Sequence, residues 1–113
     1  MIGTTRKTRV FAWAAPCDLR KRYNGLYAMV KEQMRQDPAS GDYFLFVNRR
    51  RTSCKILYFD GTGLCIFMKR LENGRFAPLW RDDAIAGRIQ LTHSELSLYL
   101  EGCTLVGIQR LAP

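Results

Sequence analysis

Residues 47–76 read VNRRRTSCKILYFDGTGLCIFMKRLENGRF. Two strand-length runs, CKILYF (54–59) and LCIFMKRL (64–71), are rich in branched and aromatic residues, as pleated surfaces favour. Between them DGTG (60–63) supplies the glycines of a tight hairpin turn. Upstream, YFLFV (43–47) is apolar at every position, the pattern of a strand covered on both faces. Downstream, Asn73-Gly74 is a strong short hairpin signal leading into FAPLW (76–80). Pro78 makes that fourth run an edge strand, because proline cannot donate to a ladder. Between YFLFV and CKILYF lies NRRRTS (48–53), six residues with no apolar member. A turn needs polar residues, but it does not need three consecutive cations.

Working outward, RVFAWAA (9–15) reads as a short strand stopped by Pro16, with Asp18 placed to cap a helix after it. From Leu19 the spacing becomes helical: Leu19, Tyr23, Leu26, Tyr27, Val30 and Met34 fall on one face. The opposite face gathers Arg20, Asn24, Lys31 and Arg35 within roughly 60° at about 100° per residue. Gly25 inside this helix serves close packing or marks a bend. DPASGD (37–42) is a turn cluster. Near the other end IQL (89–91) reads as a short strand. Thr92 and Glu95 form a capping-box pattern for a helix of about 93–101 that stops at Gly102. The expected fold is α+β. It is an antiparallel meander of four or five strands, with one long helix (18–35) packed on a face and a short C-terminal helix. Residues 1–8 read as a flexible basic arm and 9–113 as a single domain.

The chain has 113 residues, with 18 Lys+Arg against 10 Asp+Glu. Thirteen of the cations are arginine, whose planar fork matches phosphate better than the lysine point charge does. This balance points to a polyanion, nucleic acid above all. Cys17, Cys54, Cys65 and Cys103 lack any Cys-x-x-Cys spacing, and His93 is the single histidine. Neither a zinc site nor any other cofactor is implied; reduced core cysteines are the expectation. No leader pattern and no apolar run of bilayer length is present, so a cytoplasmic, reducing setting without membrane is expected.

A two-metal nuclease needs clustered carboxylates. The candidates are Asp18, Asp60, Asp82, Asp83, Glu95 and Glu101. All but the adjacent Asp82 and Asp83 have structural roles as caps, turn residues or helix ends. His93 has no Ser or Cys partner in sequence. No catalytic residue is assigned, and binding is the expected activity. In a meander alternate turns share one end of the sheet. Arg49, Arg50 and Arg51 would therefore form a basic edge with Arg70 and Arg75, and Arg20, Lys31 and Arg35 a second basic stripe on the helix. The competing readings are a solubilising turn that guards an edge and a docking surface for a protein, anchored by Trp13 or Trp80.

Three stretches, DLRKRYNGL (18–26), residues 49–76 and LEG (100–102), carry a family resemblance. The chain resembles the small TnpB accessory proteins of the insertion-sequence-66 group of bacterial transposable elements, over about Val10 to Gly102. The densest part is Asp60-Gly61-Thr62-Gly63-Leu64, then Lys69-Arg70-Leu71-Glu72 and Gly74-Arg75-Phe76, with Asp37-Pro38 and Ser40-Gly41 matching a turn. Arg22 departs from the pattern, standing where related sequences carry glycine. The resemblance implies a protein encoded beside a separate transposase. It would act in transposition by contacting DNA, at element ends or target, or the transposase itself.

Overall fold

The computed structural model describes residues 7–81 and 86–102. Strands β1 (Val10–Trp13), β2 (Tyr43–Val47), β3 (Ser53–Phe59), β4 (Leu64–Arg70) and β5 (Arg88–Leu91) form one sheet in the order β4-β3-β2-β1-β5. Helix α1 (Tyr23–Ala28) continues into a wider turn over Met29–Gln33, and α2 (His93–Leu100) closes the described chain. The architecture is α+β, as expected. The meander is real for β2, β3 and β4, which pair antiparallel in register.

The sheet is nevertheless mixed. β1 pairs parallel with β2, Val10 opposite Tyr43 and Ala12 opposite Leu45, while β5 runs antiparallel along its other side. The physical reason lies between the strands: a helix joins β1 to β2, and a crossover of that length returns the chain to start β2 parallel to β1. A carboxylate pins the pair. Asp42, fully buried, accepts from the Arg9 backbone N–H (2.9 Å), the Arg9 guanidinium (2.9 Å) and the Ser40 hydroxyl (3.0 Å). It ties the residue before β1 to the residue before β2.

FAPLW forms no strand. It is an irregular segment whose Phe76, Ala77 and Leu79 are buried. Asn73-Gly74 therefore makes a bend with Gly74 at φ 78°, not a hairpin. The segment packs beneath the sheet: Phe76 stacks on Tyr99 of α2 with centroids 5.3 Å apart.

The first helix is shorter than its periodicity suggests. Asp18 is not its cap: the carboxylate accepts from the Arg20 backbone N–H (2.9 Å), and Lys21 N–H reaches the Asp18 carbonyl (3.2 Å). Residues 18–21 thus close a turn of their own, and Arg22 is extended (φ −112°, ψ −153°). That turn folds back on the helix, and Gly25 makes room for it: a Cβ there would lie 3.0 Å from the Lys21 Cβ. At the far end Met34 N–H bonds to the Met29 carbonyl (3.0 Å), an i→i+5 closure, and Arg35 at φ 57° ends the element. Of the expected apolar face, Leu26, Val30 and Met34 are buried; Tyr23 and Tyr27 face solvent.

Alternation along the strands sends side chains to two cores. Phe11, Trp13, Phe44, Phe46 and Leu57 meet α1 on one face. Val10, Leu45, Val47, Cys54 and Ile56 meet α2 and the Phe76 segment on the other. β2, mid-sheet and buried on both faces, is what its unbroken apolar run predicts. The Thr92–Glu95 capping box forms in both directions (3.0 and 2.8 Å). Gly102 follows α2 at φ 72°, and the Lys69 ammonium donates to the Leu100 carbonyl (2.7 Å), a cation where the helix dipole favours one.

Candidate functional site

β1, β2 and β4 all finish at one end of the sheet, where β3 and β5 begin. The arginine run closes β2 to β3 there. Its turn is built by Asn48, whose side-chain oxygen accepts from Thr52 N–H (2.9 Å) and Ser53 N–H (3.1 Å). Arg51 N–H returns to the Asn48 carbonyl (3.0 Å). Asparagine before a turn does this because its carbonyl oxygen reaches backbone donors downstream. The signal was present at Asn48 beside the more conspicuous arginines.

The three arginines separate into two roles. Arg49 and Arg50 are exposed and line an open groove of about 620 Å³ with the β1–α1 connection, Pro16 to Arg20. Arg51 is half-buried at φ 59°, and its guanidinium donates to the Phe76 carbonyl (2.9 Å). Phe76 N–H donates back to the Arg51 carbonyl (2.7 Å). Arg51 thus clamps the Phe76 segment to the sheet instead of projecting with its neighbours.

Arg20 faces the same groove with 91% of its side chain exposed. Asp18 holds it through Nε (3.0 and 3.1 Å) and Nη2 (2.7 Å). The Arg20 guanidinium beside Asp18 keeps that carboxyl well below the usual carboxylate range. The pair is therefore ionised at neutral pH, and Arg20 brings donors to the groove with its charge already offset. Arg70, opposite Ser53, and Arg75 are exposed at this same end; Leu71 N–H bonds to the Thr52 carbonyl (2.9 Å) and joins the two turns. Burial pushes the Cys17 thiol up to about 11, so it stays protonated in the groove wall and is no nucleophile there.

Lys31 and Arg35 do not join this cluster. They line a separate groove with Tyr27, Gln36, Asp37 and Pro38. The expected stripe from Arg20 to Arg35 fails because Arg20 precedes the helix and Arg35 comes after its end. Lys55, on β3, is also withdrawn: its stem is buried and its ammonium donates to the Lys21 carbonyl (2.9 Å). Trp13 is buried against α1 and Trp80 is half-buried against the opposite core, so both are packing residues.

Among the described residues no three His, Cys, Asp or Glu side chains come together to hold a metal. Asp60 is occupied in its turn and Glu95 in its cap; Asp82, Asp83 and Cys103 lie outside the described residues. Cys17 and Cys54 are free thiols in the cores, and Cys65 is half-buried. Among the described residues no helix is long and apolar enough to cross a membrane.

The fold and its basic end define a small mixed-sheet protein with exposed arginines around one groove. A family described as IS66 Orf2 like protein matches residues 8–110. The chain belongs to this family, the TnpB accessory proteins of IS66 insertion sequences. It is 33% identical to the uncharacterised protein y4jC of Sinorhizobium fredii, over 97% of this chain and 92% of that one. It is 32% identical to y4hO of the same organism, also uncharacterised, over 90% and 86%. No solved structure matches.

Proposed function

We propose that this insertion-sequence accessory protein assists transposition by holding DNA through its phosphate backbone at the arginine-bearing end of the sheet, in the bacterial cytoplasm. One observation carries the reading: Arg49 and Arg50 project from a turn fixed by Asn48, with Arg20, Arg70 and Arg75 exposed at the same end. Cations on a rigid turn meet phosphates without the ordering cost of a flexible arm, and such contacts position a protein on DNA without reading its bases. Lys31 and Arg35, in their own groove, lie outside this surface.

The test is binding of duplex DNA by anisotropy across a salt series. About four phosphate contacts, from the arginines that carry no carboxylate partner among the described residues, give a log–log slope of roughly −3 to −4. The double variant Arg49→Ala/Arg50→Ala should flatten that slope by about 2 and weaken all duplex sequences alike. The variant Lys31→Ala/Arg35→Ala should change it by less than about 1. An unchanged slope in the arginine variant would refute the reading.

A second reading, docking on the element's transposase, has its own support. Tyr23 and Tyr27 stand one helical turn apart on α1, and both are exposed; paired outward aromatics are common anchors of protein contacts. Loss of transposase co-purification in Tyr23→Ala/Tyr27→Ala, with the salt slope intact, would favour it.

A further inference from the structure

The two edges of the sheet differ. β5 is four residues long, with Arg88 and Gln90 exposed; short length and charge blunt an edge against further pairing. β4 is seven residues long, pairs with β3 in unbroken register without a bulge, and contains no proline. Among the described residues no strand pairs its outer side. Near its middle lie two of the most exposed large apolar residues, Phe67 at 43% and Met68 at 54%.

Those two side chains point to opposite faces of the sheet: Phe67 lies opposite Ile56, whose core is that of α2, and Met68 opposite Lys55 on the α1 side. No element laid on one face could cover both. A strand added to the edge would, because its side chains alternate between faces.

We infer that the added strand is β4 of a second copy of this chain, paired antiparallel about a two-fold axis through Phe67. In a continuous sheet that axis stands perpendicular to the sheet. The register that pairs all seven residues, Leu64 through Arg70, centres on Phe67. It sets Phe67 against its own mate, Ile66 against Met68, Cys65 against Lys69, and Leu64 against Arg70. Apolar residues meet at the centre, and neither cation meets a cation. The strand is thus self-complementary, as an interface between identical chains must be, and directly opposed pairs of this kind stabilise a sheet. The product is a ten-stranded sheet, five from each copy. The perpendicular axis leaves both α1 faces, and so both arginine grooves, on the same side.

Sedimentation of the full chain should give twice its 13.0 kDa mass. Phe67→Lys places two ammonium groups on the axis and should weaken the dimer more than about tenfold. Its circular dichroism should be unchanged, and its melting should lie close to that of the wild-type chain diluted until it is a monomer, since loss of the dimer removes only the stability that association adds. Register is tested by oxidation in a Cys65→Ser background. Phe67→Cys should link two chains, because facing Cα atoms fall within about 6 Å of each other. Met68→Cys should not, its mate being offset by two residues, about 7 Å further along the strand. A monomer at about 100 μM (weaker than a stable contact needs) would overturn the inference. So would a dimer indifferent to Phe67→Lys, preferential linkage through Met68→Cys, or a monomer that dimerises only after removal of residues 103–113. The DNA reading is tested independently, since Phe67→Lys leaves every arginine in place.

Discussion

At one end of β3 the chain reverses through Asp60, Gly61, Thr62 and Gly63; at the other it reverses through Asn48, Arg49, Arg50 and Arg51. Both turns are organised by one side-chain oxygen: Asp60 accepts from Thr62 N–H (2.9 Å), the Thr62 hydroxyl (3.0 Å) and Gly63 N–H (3.0 Å), and Asn48 accepts from Thr52 and Ser53. Both need a positive φ. The first turn meets that need with Gly61, at φ 104° in open space, and stands alone. The second places Arg51 at φ 59°, a conformation costing a non-glycine residue about 1 kcal/mol or more. It offsets that cost with the two-way exchange between Arg51 and Phe76. The glycine turn is a local structure, whereas the arginine turn is completed by a segment 25 residues away. Its remaining two arginines are thereby held outward on a fixed base.

The largest difference between the two turns should follow from a change at Phe76. It is fully buried and stacked on Tyr99, and Phe76→Ala should cost about 3–5 kcal/mol in urea unfolding. Because the Phe76 segment secures Arg51, hydrogen exchange at Thr52 and Ser53 should rise in the same variant while exchange at Thr62 and Gly63 stays unchanged. Next comes Asn48→Ala, which strips the acceptor from two backbone N–H groups, one on buried Ser53, and should cost about 1–3 kcal/mol. At position 51 the strain and the clamp can be separated. Arg51→Ala keeps the strain and loses the clamp, while Arg51→Gly loses the clamp and the strain together. Glycine should therefore be the more stable variant by about 1 kcal/mol, seen as the higher denaturation midpoint.

A smaller effect belongs to the other turn. Backbone hydrogen bonds from Thr62 and Gly63 hold the Asp60 carboxyl at about 2, below its ordinary 3.8. A folded value below the unfolded one gives stability that is full above the unfolded value and is lost as pH falls toward about 2. The stability difference between the wild-type chain and Asp60→Ala should accordingly be flat down to about pH 5 and shrink between about pH 4 and 2. Smallest of all, Arg49→Ala/Arg50→Ala should shift stability by no more than about 0.5 kcal/mol. Their expected effect is on the salt dependence of DNA binding alone.

The candidate site was half legible. Counting alternate turns of a meander predicts that Arg49, Arg50, Arg70 and Arg75 share an end. They do lie at one end of the sheet, but Arg75 is there because Phe76 bonds to Arg51 and not because a hairpin forms at Asn73-Gly74. Such counting could not show that Arg51 turns inward, because the partner carbonyl belongs to a segment that reads as a fourth strand. Nor could helical periodicity show that Arg20 leaves the helix. The Asp18 carboxylate competes for the backbone there, and a short polar side chain that caps its own turn looks in sequence like one that caps the helix to come.

Sequence alone determined the elements whose causes are local. Alternating and continuous apolar runs set β2, β3 and β4, glycines set the Asp60 turn, and Thr92 with Glu95 set the start of α2. The excess of arginine was equally plain. Only the tertiary structure decided that β1 lies parallel beside β2, that the Phe76 segment packs as an irregular plug, and which arginines are free. Each of those outcomes rests on a contact between distant residues: Asp42 with Arg9, Phe76 with Tyr99 and with Arg51. The energy of such contacts exists only once the chain has brought its ends together, so no window of neighbouring residues contains it.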